Sequence, residues 1–316
     1  MTVLPGLPKK PGRAQKFRSF WDNDNVVGYV FILPFVIGFL SFTLYPVLSS
    51  LYYSFTRYDL LSSPEFTGLK NYVTLFTSDP KFYKSLSVTF FYVFVSVPLR
   101  LAFALAVAML FVYPSKLSPI YRAVYYIPSL IGGSVAIAVL WQRLFGDNGV
   151  MNMLLLLVGI PSKTNWLGDP RTSLWTLIIL AVWQFGSSML IFLAGLKQIP
   201  TSYYEAAEMD SANGWKKFIH ITIPMLTPVI FFNLIMQLIN GFMSFTQAFI
   251  ISKGNGAPLD SLLLYSLYLY QQAFGFYKMG YGCALAWIML IIIAVFTAIL
   301  FRSSNSWVYY ESKGGD

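Results

Sequence analysis

The sequence predicts an all-α integral membrane protein with six transmembrane helices, and three observations support this fold class. Of the 316 residues, 56% are hydrophobic and 11% are charged, whereas a soluble domain has about 25% charged residues. A helix needs roughly 20 apolar residues to cross the hydrocarbon layer, because each residue advances about 1.5 Å through about 30 Å. Six apolar runs reach that length, at approximately residues 26–55, 86–112, 121–145, 173–197, 223–250 and 281–301.

Residues 1–25 are predicted to form a basic arm on the cytoplasmic side. The polar stretch before the first apolar run does not match a cleavable signal peptide, so we expect the first span to be retained. The net charge of +9 favours contact with anionic lipid over nucleic-acid binding. Six spans place the arm and the tail, residues 302–316, on one side. If that side is cytoplasmic, its segments carry twelve Lys and Arg against nine outside, a weak bias toward this orientation.

Arg100 lies near the middle of the second predicted span. A lone unpaired cation there costs about 2.5–3.5 kcal/mol on insertion scales, so we expect Arg100 to face protein or water. Its guanidinium either hydrogen-bonds neighbouring carbonyls or snorkels, or it meets an anionic solute such as an acidic sugar. The sequence leaves both alternatives open.

The predicted outer loops, residues 56–85, 146–172 and 251–280, are rich in aromatic residues, Gly and Pro. Residues 151–158 are too short to span, so we expect them at the membrane surface or packed against other helices. Five tyrosines near the last loop form either an aromatic belt or a ligand contact: Tyr265, Tyr268, Tyr270, Tyr277 and Tyr281.

Polar side chains on the fourth and fifth spans indicate a solute path. Those of the fifth span recur at spacings of 4, 3, 4 and 3 and share one helix face: Asn233, Gln237, Asn240, Ser244 and Gln247. Those of the fourth span are Trp183, Gln184, Ser187 and Ser188. Amides and hydroxyls suit sugar hydroxyls, and a Trp ring can stack on a sugar. The alternative for both sets is helix packing through interhelical hydrogen bonds.

The sequence offers no catalytic or metal-ligating pattern. His220 has no Cys, Asp or Glu at ligand spacing, and we interpret it as an interfacial residue. Cys283 lies in an apolar run, where a thiol usually packs as a small side chain. No Ser, His and Asp arrangement and no carboxylate pair indicates catalysis, so we predict that the chain is not an enzyme.

The loop between the fourth and fifth spans, residues 198–222, carries the most specific motif. Its sequence YYEAAEMDSANGWKKFIHITIP predicts a short surface helix, a bend, and a helix that enters the membrane. The segment resembles the EAA loop of ATP-binding-cassette (ABC) importer permeases, in which EAA, a Gly and Ile-x-Leu-Pro follow at fixed spacing. The matching residues are Glu205, Ala206, Ala207, Ile221 and Pro224.

Two positions depart from that pattern. Ile223 stands in place of Leu, which is a minor change. Ser211 stands in place of Gly, and since Ser adopts positive φ less readily, we expect the bend to be built differently or shifted to Gly214.

The resemblance covers roughly residues 26–305, including LPFVIGFLSFTLYPVLSSLYYSF, GLKNYVTLF and WQFGSSMLIFLAGLKQIP. It points to MetI-like permeases of the maltose and glycerol-phosphate type. It implies that the loop is a cytoplasmic coupling helix docking on an ATPase subunit through Glu205, Ala206, Ala207, Asp210, Ser211 and Gly214. It also implies a location in the cell inner membrane.

The resemblance further implies the partners. They are a second homologous permease, two ATP-binding subunits and an extracytoplasmic solute-binding protein, in contact with membrane lipid. The chain contains no G-x-x-x-x-G-K-[ST] motif, so no cofactor is expected on this chain, and ATP and Mg are expected on the partner subunits.

The function that follows is a permease subunit forming half of the pathway for a sugar, an oligosaccharide that could be acidic. One alternative is a permease for glycerol phosphate, a polyol, a peptide or another solute. Another is an ion-coupled secondary carrier, but such carriers typically show internal repeats and broken helices around midplane charges. We find no clear case of these in the sequence.

Overall fold

The computed structural model describes residues 24–112, 116–160 and 164–309. Most of the predicted arm and the end of the predicted tail lie outside the described residues. The helices, in chain order, are α1 (Asp24–Phe39), α2 (Tyr45–Ser54), α3 (Lys70–Thr77), α4 (Pro80–Leu110), α5 (Ser118–Ile131), α6 (Val135–Phe145), α7 (Val150–Leu157), α8 (Ser173–Trp183), α9 (Gly186–Leu196), α10 (Thr201–Met209), α11 (Gly214–Lys217), α12 (Ile223–Phe242), α13 (Thr246–Ile251), α14 (Tyr265–Tyr270) and α15 (Met279–Trp307).

A few irregular elements complete the described chain. A short antiparallel hairpin pairs β1 (Thr56–Arg57) with β2 (Glu65–Phe66), with Thr56 opposite Phe66. π-helical turns at Leu40–Leu44 and Phe218–Thr222 join α1 to α2 and α11 to α12, and a third, Gln271–Gly275, extends α14.

Four helical stretches are long and apolar enough to cross a membrane: Val27–Ser54, Pro80–Leu110, Gly214–Ile251 and Met279–Trp307. Two further stretches qualify as bent pairs: Ser118–Ile131 with Val135–Leu157, and Ser173–Trp183 with Gly186–Leu196. If each bent pair is one span, the described chain crosses the membrane six times. Residues 151–158, predicted to lie at the membrane surface or against other helices, overlap α7, which belongs to the bent-pair stretch Val135–Leu157.

The predicted third and fourth spans are not single straight helices. The direction changes by 97° between α5 and the stretch Val135–Leu157, which begins within predicted span 121–145. Within predicted span 173–197 it changes by 42° between α8 and α9. At the first bend, consecutive glycines are followed by Ser134, whose Oγ accepts a hydrogen bond from the Ile137 N–H at 3.4 Å. Glycine permits the turn and the serine caps the next helix, whereas apolar run length carries no information about direction.

Helix α4 lies at the centre of the fold and packs against α8, α9 and α12. It starts at Asp79, whose Oδ1 accepts hydrogen bonds from the N–H groups of Lys81 and Phe82, each at 3.1 Å. Small residues allow the close helix contacts: a Cβ added at Gly195 of α9 would lie 2.7 Å from Cγ2 of Val229 on α12. By contrast, none of the most apolar window of Val27–Ser54 is buried in the chain.

The described chain has two distinct ends. At one end the hairpin lies against the start of α15, where the Gly280 N–H donates to the Tyr58 carbonyl at 3.0 Å. At the other end lies the 198–222 loop, together with the end of the chain, where the Tyr309 N–H donates to Thr227 Oγ1 at 2.9 Å. The loop and the C-terminal end of α15 are therefore on the same side.

Candidate translocation pathway and coupling loop

A polar cavity of about 400 Å³ lies between α4 and the bends of the third, fourth and fifth spans. Seven of the residues predicted for the solute path line it: Arg100, Gln184, Ser187, Gln237, Asn240, Ser244 and Gln247. The sequence interpretation missed four further polar lining residues, Tyr92, Ser96, Ser129 and Thr246. Each is a polar residue of a predicted span, but none belongs to a periodic stripe that would have singled it out.

Three helix breaks meet at this cavity. The third span breaks at Gly132–Ser134, the fourth at Gln184–Phe185 and the fifth at Met243–Phe245. Gly132 lies directly against the fourth-span break, because a Cβ added there would be 2.3 Å from Cγ of Gln184. Each break interrupts the helical hydrogen-bond ladder, so nearby backbone groups need other partners.

Side chains from neighbouring spans supply those partners. Gln247 Nε2 donates to the Gly132 carbonyl at 3.0 Å. The Gln184 carbonyl accepts from Ser129 Oγ at 2.9 Å and from the Arg100 guanidinium. Irregular backbone in a membrane protein is tolerated where it lines a polar cavity in this way.

Arg100 combines the two situations that its sequence position left open. Its Nη2 donates to the Gln184 carbonyl, as the carbonyl interpretation expected. The side chain also lines the cavity, where a solute could reach it. The hydrogen bond to the carbonyl therefore leaves the solute contact open.

Three predicted path residues do not line the cavity. Asn233 is fully buried, and its Nδ2 donates to the Val229 carbonyl of its own helix at 3.2 Å. Ser188 is also buried and accepts a hydrogen bond from Gln237 Nε2 at 3.0 Å. The Trp183 ring packs on Trp141, with centroids 5.9 Å apart. Helical periodicity alone could not separate these packing positions from the lining ones.

Three of the five tyrosines predicted near the last outer loop donate side-chain hydrogen bonds within the chain. Asp79, the cap of α4, accepts hydrogen bonds from the hydroxyls of Tyr268 and Tyr281. Burial and the hydrogen bond to Asp79 raise the pKa of Tyr268, so its phenol stays protonated and remains a donor. Tyr265 is buried and its hydroxyl donates to the Leu285 carbonyl at 2.8 Å.

The other two tyrosines are exposed. Tyr270 packs on Phe245 with ring centroids 5.1 Å apart, and Tyr277 is exposed at the rim of the hairpin end. Tyr268, Tyr277 and Tyr281 also line a cavity of about 580 Å³ beside the hairpin, so the ligand-contact alternative stays open.

The bend of the 198–222 loop is at Ser211, and it is not shifted to Gly214. Ser211 has φ +57°, whereas Gly214 is not among the residues of positive φ. The Ala212 N–H donates to the Ala207 carbonyl at 2.9 Å and the Ser211 N–H to the Glu208 carbonyl at 3.0 Å. These are the two hydrogen bonds of a Schellman cap, which satisfies the end of α10 with Ser at the position that glycine usually takes.

Two contacts tie the loop together. Lys217 Nζ lies 2.6 Å from Oε1 of Glu208, which joins α11 to α10. The hydroxyls of Tyr204 and Thr222 are 3.0 Å apart, which joins α10 to the turn before α12. The loop is thus held in one shape by contacts within itself.

The outward surface of the loop is free within the described chain. The predicted contact residues are exposed apart from Ala207, which is half-buried: Glu205, Ala206, Asp210, Ser211 and Gly214. Met209 and Trp215 are 87% and 68% exposed, and the sequence interpretation did not identify them. Large apolar side chains that are exposed on an otherwise polar loop indicate a protein contact.

Neither the histidine nor the cysteine forms a reactive site. His220 is exposed, and its Nδ1 lies 3.1 Å from the Lys216 carbonyl. Cys283 is buried in α15. Across the described ranges, no group of three or more His, Cys, Asp and Glu side chains could hold a metal ion.

Comparisons with known proteins agree with these features. Residues 73–306 match the family described as "Binding-protein-dependent transport system inner membrane component". The chain is 57% identical over 299 residues to "Probable ABC transporter permease protein YesP" of Bacillus subtilis (strain 168), covering 95% of this chain and 96% of that one. It is 35% identical over 312 residues to "Arabinooligosaccharides transport system permease protein AraP" of the same organism, covering 96% and 95%.

The fold is also similar to that of a solved structure. A chain in the crystal structure of a bacterial alginate ABC transporter, in complex with alginate pentasaccharide-bound periplasmic protein, has a TM-score of 0.76. The two chains are 20% identical, and the match covers 92% of this chain and 96% of that one. The likeness confirms the predicted all-α membrane fold.

Proposed function

Because the chain belongs to the family of binding-protein-dependent transport system inner membrane components, we propose that it forms half of the pathway through which an ATP-driven importer takes up an oligosaccharide. Members of this family work with a solute-binding protein and lie in the inner membrane as multi-pass proteins. The AraP relative is named as an arabinooligosaccharide permease, which supports the substrate class. In this proposal a second, homologous permease supplies the other half of the pathway.

The observation that carries this proposal is the chemistry of the cavity. Its walls present amides from Gln184, Gln237 and Asn240 and hydroxyls from Ser187 and Ser244. Such groups both donate and accept hydrogen bonds, as sugar hydroxyls do. A solute whose hydroxyls match them can shed water on entering the cavity without losing hydrogen bonds.

The 198–222 loop is the proposed connection to the ATPase. The exposed side chains Met209 of α10 and Trp215 of α11 belong to the same loop as the small residues Ala206 and Ala207 of α10. Small residues permit close approach to a groove, and the large apolar ones provide the area that anchors an interface. ATP and Mg would bind on the partner subunits, and the loop would transmit their closure to α9 and α12.

The loop also sets the proposed orientation. If it contacts a cytoplasmic ATPase, the C-terminal end of α15 lies on the cytoplasmic side with it, and six crossings place the N-terminus there as well. The hairpin and α14 then face the solute-binding protein.

Copurification after gentle detergent extraction tests the proposal. We expect the native chain to bring down a second permease and an ATP-hydrolysing chain with a phosphate-binding loop. A Glu205→Ala, Ala207→Asp double variant should lose at least about tenfold of the associated ATPase, because the Glu205 carboxylate is removed and a new carboxylate replaces the small apolar side chain of Ala207. The matched control is Glu65→Ala with Ser63→Asp on the opposite hairpin, which should retain the ATPase.

If neither form brings down an ATPase, and the purified chain alone moves solute along an ion gradient, the chain is a secondary carrier and the proposal is wrong.

A further inference from the structure

The described lining of the cavity carries a positive charge and no negative one. Arg100 is the charged side chain among the described residues that line it, and no Asp, Glu or Lys is among them. The remaining lining residues are neutral at pH 7, and most are polar. The electrostatic potential of this half of the pathway is therefore positive.

The guanidinium of Arg100 is only partly satisfied by the described protein. One of its five N–H donors is directed at the Gln184 carbonyl. Its Nε is buried and has no hydrogen-bond partner among the described residues. The two ion pairs of the described chain, Lys81 with Asp260 and Lys217 with Glu208, do not involve Arg100.

Arg100 is half-buried. A cation without a counter-charge inside a membrane protein is costly, and such groups generally mark a solute or ion path. Arginine presents a planar fork that pairs with a carboxylate through two parallel hydrogen bonds. Within the described chain no acidic side chain provides that carboxylate, and Arg100 lines a cavity of about 400 Å³ that a solute can enter.

The hydroxyls and amides beside Arg100 complete a site of mixed character. Tyr92 and Ser129 also line the cavity, and Ser244 Oγ is 3.4 Å from the Tyr92 hydroxyl. A cation among neutral donors and acceptors matches a sugar that bears both a carboxylate and hydroxyls. From this geometry we infer that the importer takes up acidic oligosaccharides, with Arg100 binding the carboxylate of a uronic acid residue.

This inference rests on the proposed function and names the substrate class of the same cavity. The competing source of a carboxylate is an acidic side chain of the second permease, facing Arg100 across the pathway. In that case Arg100 would hold the two permeases together and would not select the solute. Replacing Arg100 would then affect acidic and neutral sugars equally.

A cysteine-protection assay on the complete detergent-solubilised complex separates these cases without requiring that the binding protein accept the probe. The reporter is Asn240→Cys on the cavity wall, in a Cys283→Ala background. The probes are α-1,4-linked trigalacturonate and its carboxyl-reduced, neutral counterpart, which have the same length and linkage. The measurement is the probe concentration that halves the rate of thiol labelling.

We expect trigalacturonate to protect the reporter at a concentration about tenfold or more below that of the neutral trimer, as a charge-assisted hydrogen-bonded pair implies. Arg100→Gln should abolish that difference, and Arg100→Lys should retain part of it because the charge stays while the fork is lost. The control is Arg122→Gln, which should preserve the difference. Arg122 donates to the Phe111 carbonyl at 3.3 Å and is not among the cavity-lining residues.

Several outcomes would overturn the inference. Equal protection by the two trimers in the native complex, or protection by neither, shows that the cavity does not select carboxylates. A complex that falls apart when Arg100→Gln is introduced, while its native form treats the two trimers alike, assigns the arginine to the second permease. In each of these cases, an ATPase that still copurifies leaves the importer function standing.

Discussion

At the scale of single residues, Ser211 holds a backbone conformation that costs free energy. A residue with a Cβ in the left-handed region carries a penalty of about 1–2 kcal/mol, and Ser211 has φ +57°. The Schellman hydrogen bonds of Ala212 and Ser211 to α10 hold it there. The serine side chain has no part in those bonds, so the identity of residue 211 affects stability mainly through the backbone.

Ser211→Gly should therefore stabilise the loop. Relief of the left-handed penalty is partly offset by the larger entropy of glycine in the unfolded chain, about 0.4–1 kcal/mol, so we expect a net gain of roughly 0.5–1 kcal/mol. The measurement is resistance of the loop to limited proteolysis in the detergent-solubilised complex. Ser211→Val should reduce that resistance, because a β-branched residue tolerates positive φ poorly.

Ser202→Gly is the matched control, since Ser202 is an exposed residue within α10 and is not among the residues of positive φ, so glycine there should lower the stability. A stabilisation from this change as large as that from Ser211→Gly would contradict the assignment of the strained position to Ser211.

At the scale of elements, the three broken spans depend on one another. The Gly132 carbonyl at the third-span break is satisfied by Gln247 from the fifth span, and the Gln184 carbonyl at the fourth-span break by Ser129 and Arg100. An unsatisfied buried carbonyl costs about 1–3 kcal/mol. Side chains from neighbouring spans therefore stabilise the breaks that form the cavity.

Gln247→Leu should destabilise the solubilised protein by about 1–3 kcal/mol, because the Gly132 carbonyl loses its donor. The midpoint of thermal unfolding in detergent measures this loss. Asn240→Leu is the matched control on the same span, since Asn240 is exposed to the cavity and no hydrogen bond of its side chain is found among the described residues. Equal loss in the two variants would mean that the Gln247 hydrogen bond does not support the break.

At the scale of the whole molecule, the hairpin and the 198–222 loop lie at opposite ends of the spans. The hairpin contacts the start of α15, and the loop lies with the end of that helix. The proposed orientation places the hairpin outside the cell and the loop in the cytoplasm. The chain has a single native cysteine, Cys283, which makes sidedness measurable.

In a Cys283→Ala background, we expect a membrane-impermeant maleimide applied to intact cells to label Ser63→Cys in the hairpin. The same reagent should label Ser202→Cys in α10 only after the membrane is permeabilised. Both positions are exposed in the described chain. The Cys283→Ala protein without a new cysteine controls for background labelling, and the reverse pattern of labelling would invert the proposed topology.

The family and the fold class were predictable from the sequence because they depend on local and additive properties. Whether a segment enters a membrane depends on its summed apolarity over about 20 residues, and the family is indicated by residues at fixed spacing around Glu205 and Pro224. The family match and the similar solved fold confirm both predictions.

The path residues were predictable only in part, because a helical stripe shows which side chains share a face but not what that face meets. Gln237 and Asn240 line the cavity, whereas Asn233, one turn earlier on the same stripe, is buried against its neighbours. Tertiary structure decided the bends of the third and fourth spans and the meeting of three breaks at the cavity that Arg100 lines. These features depend on contacts between residues far apart in the chain, such as Gln247 with Gly132 and Arg100 with Gln184, and no local pattern encodes such contacts.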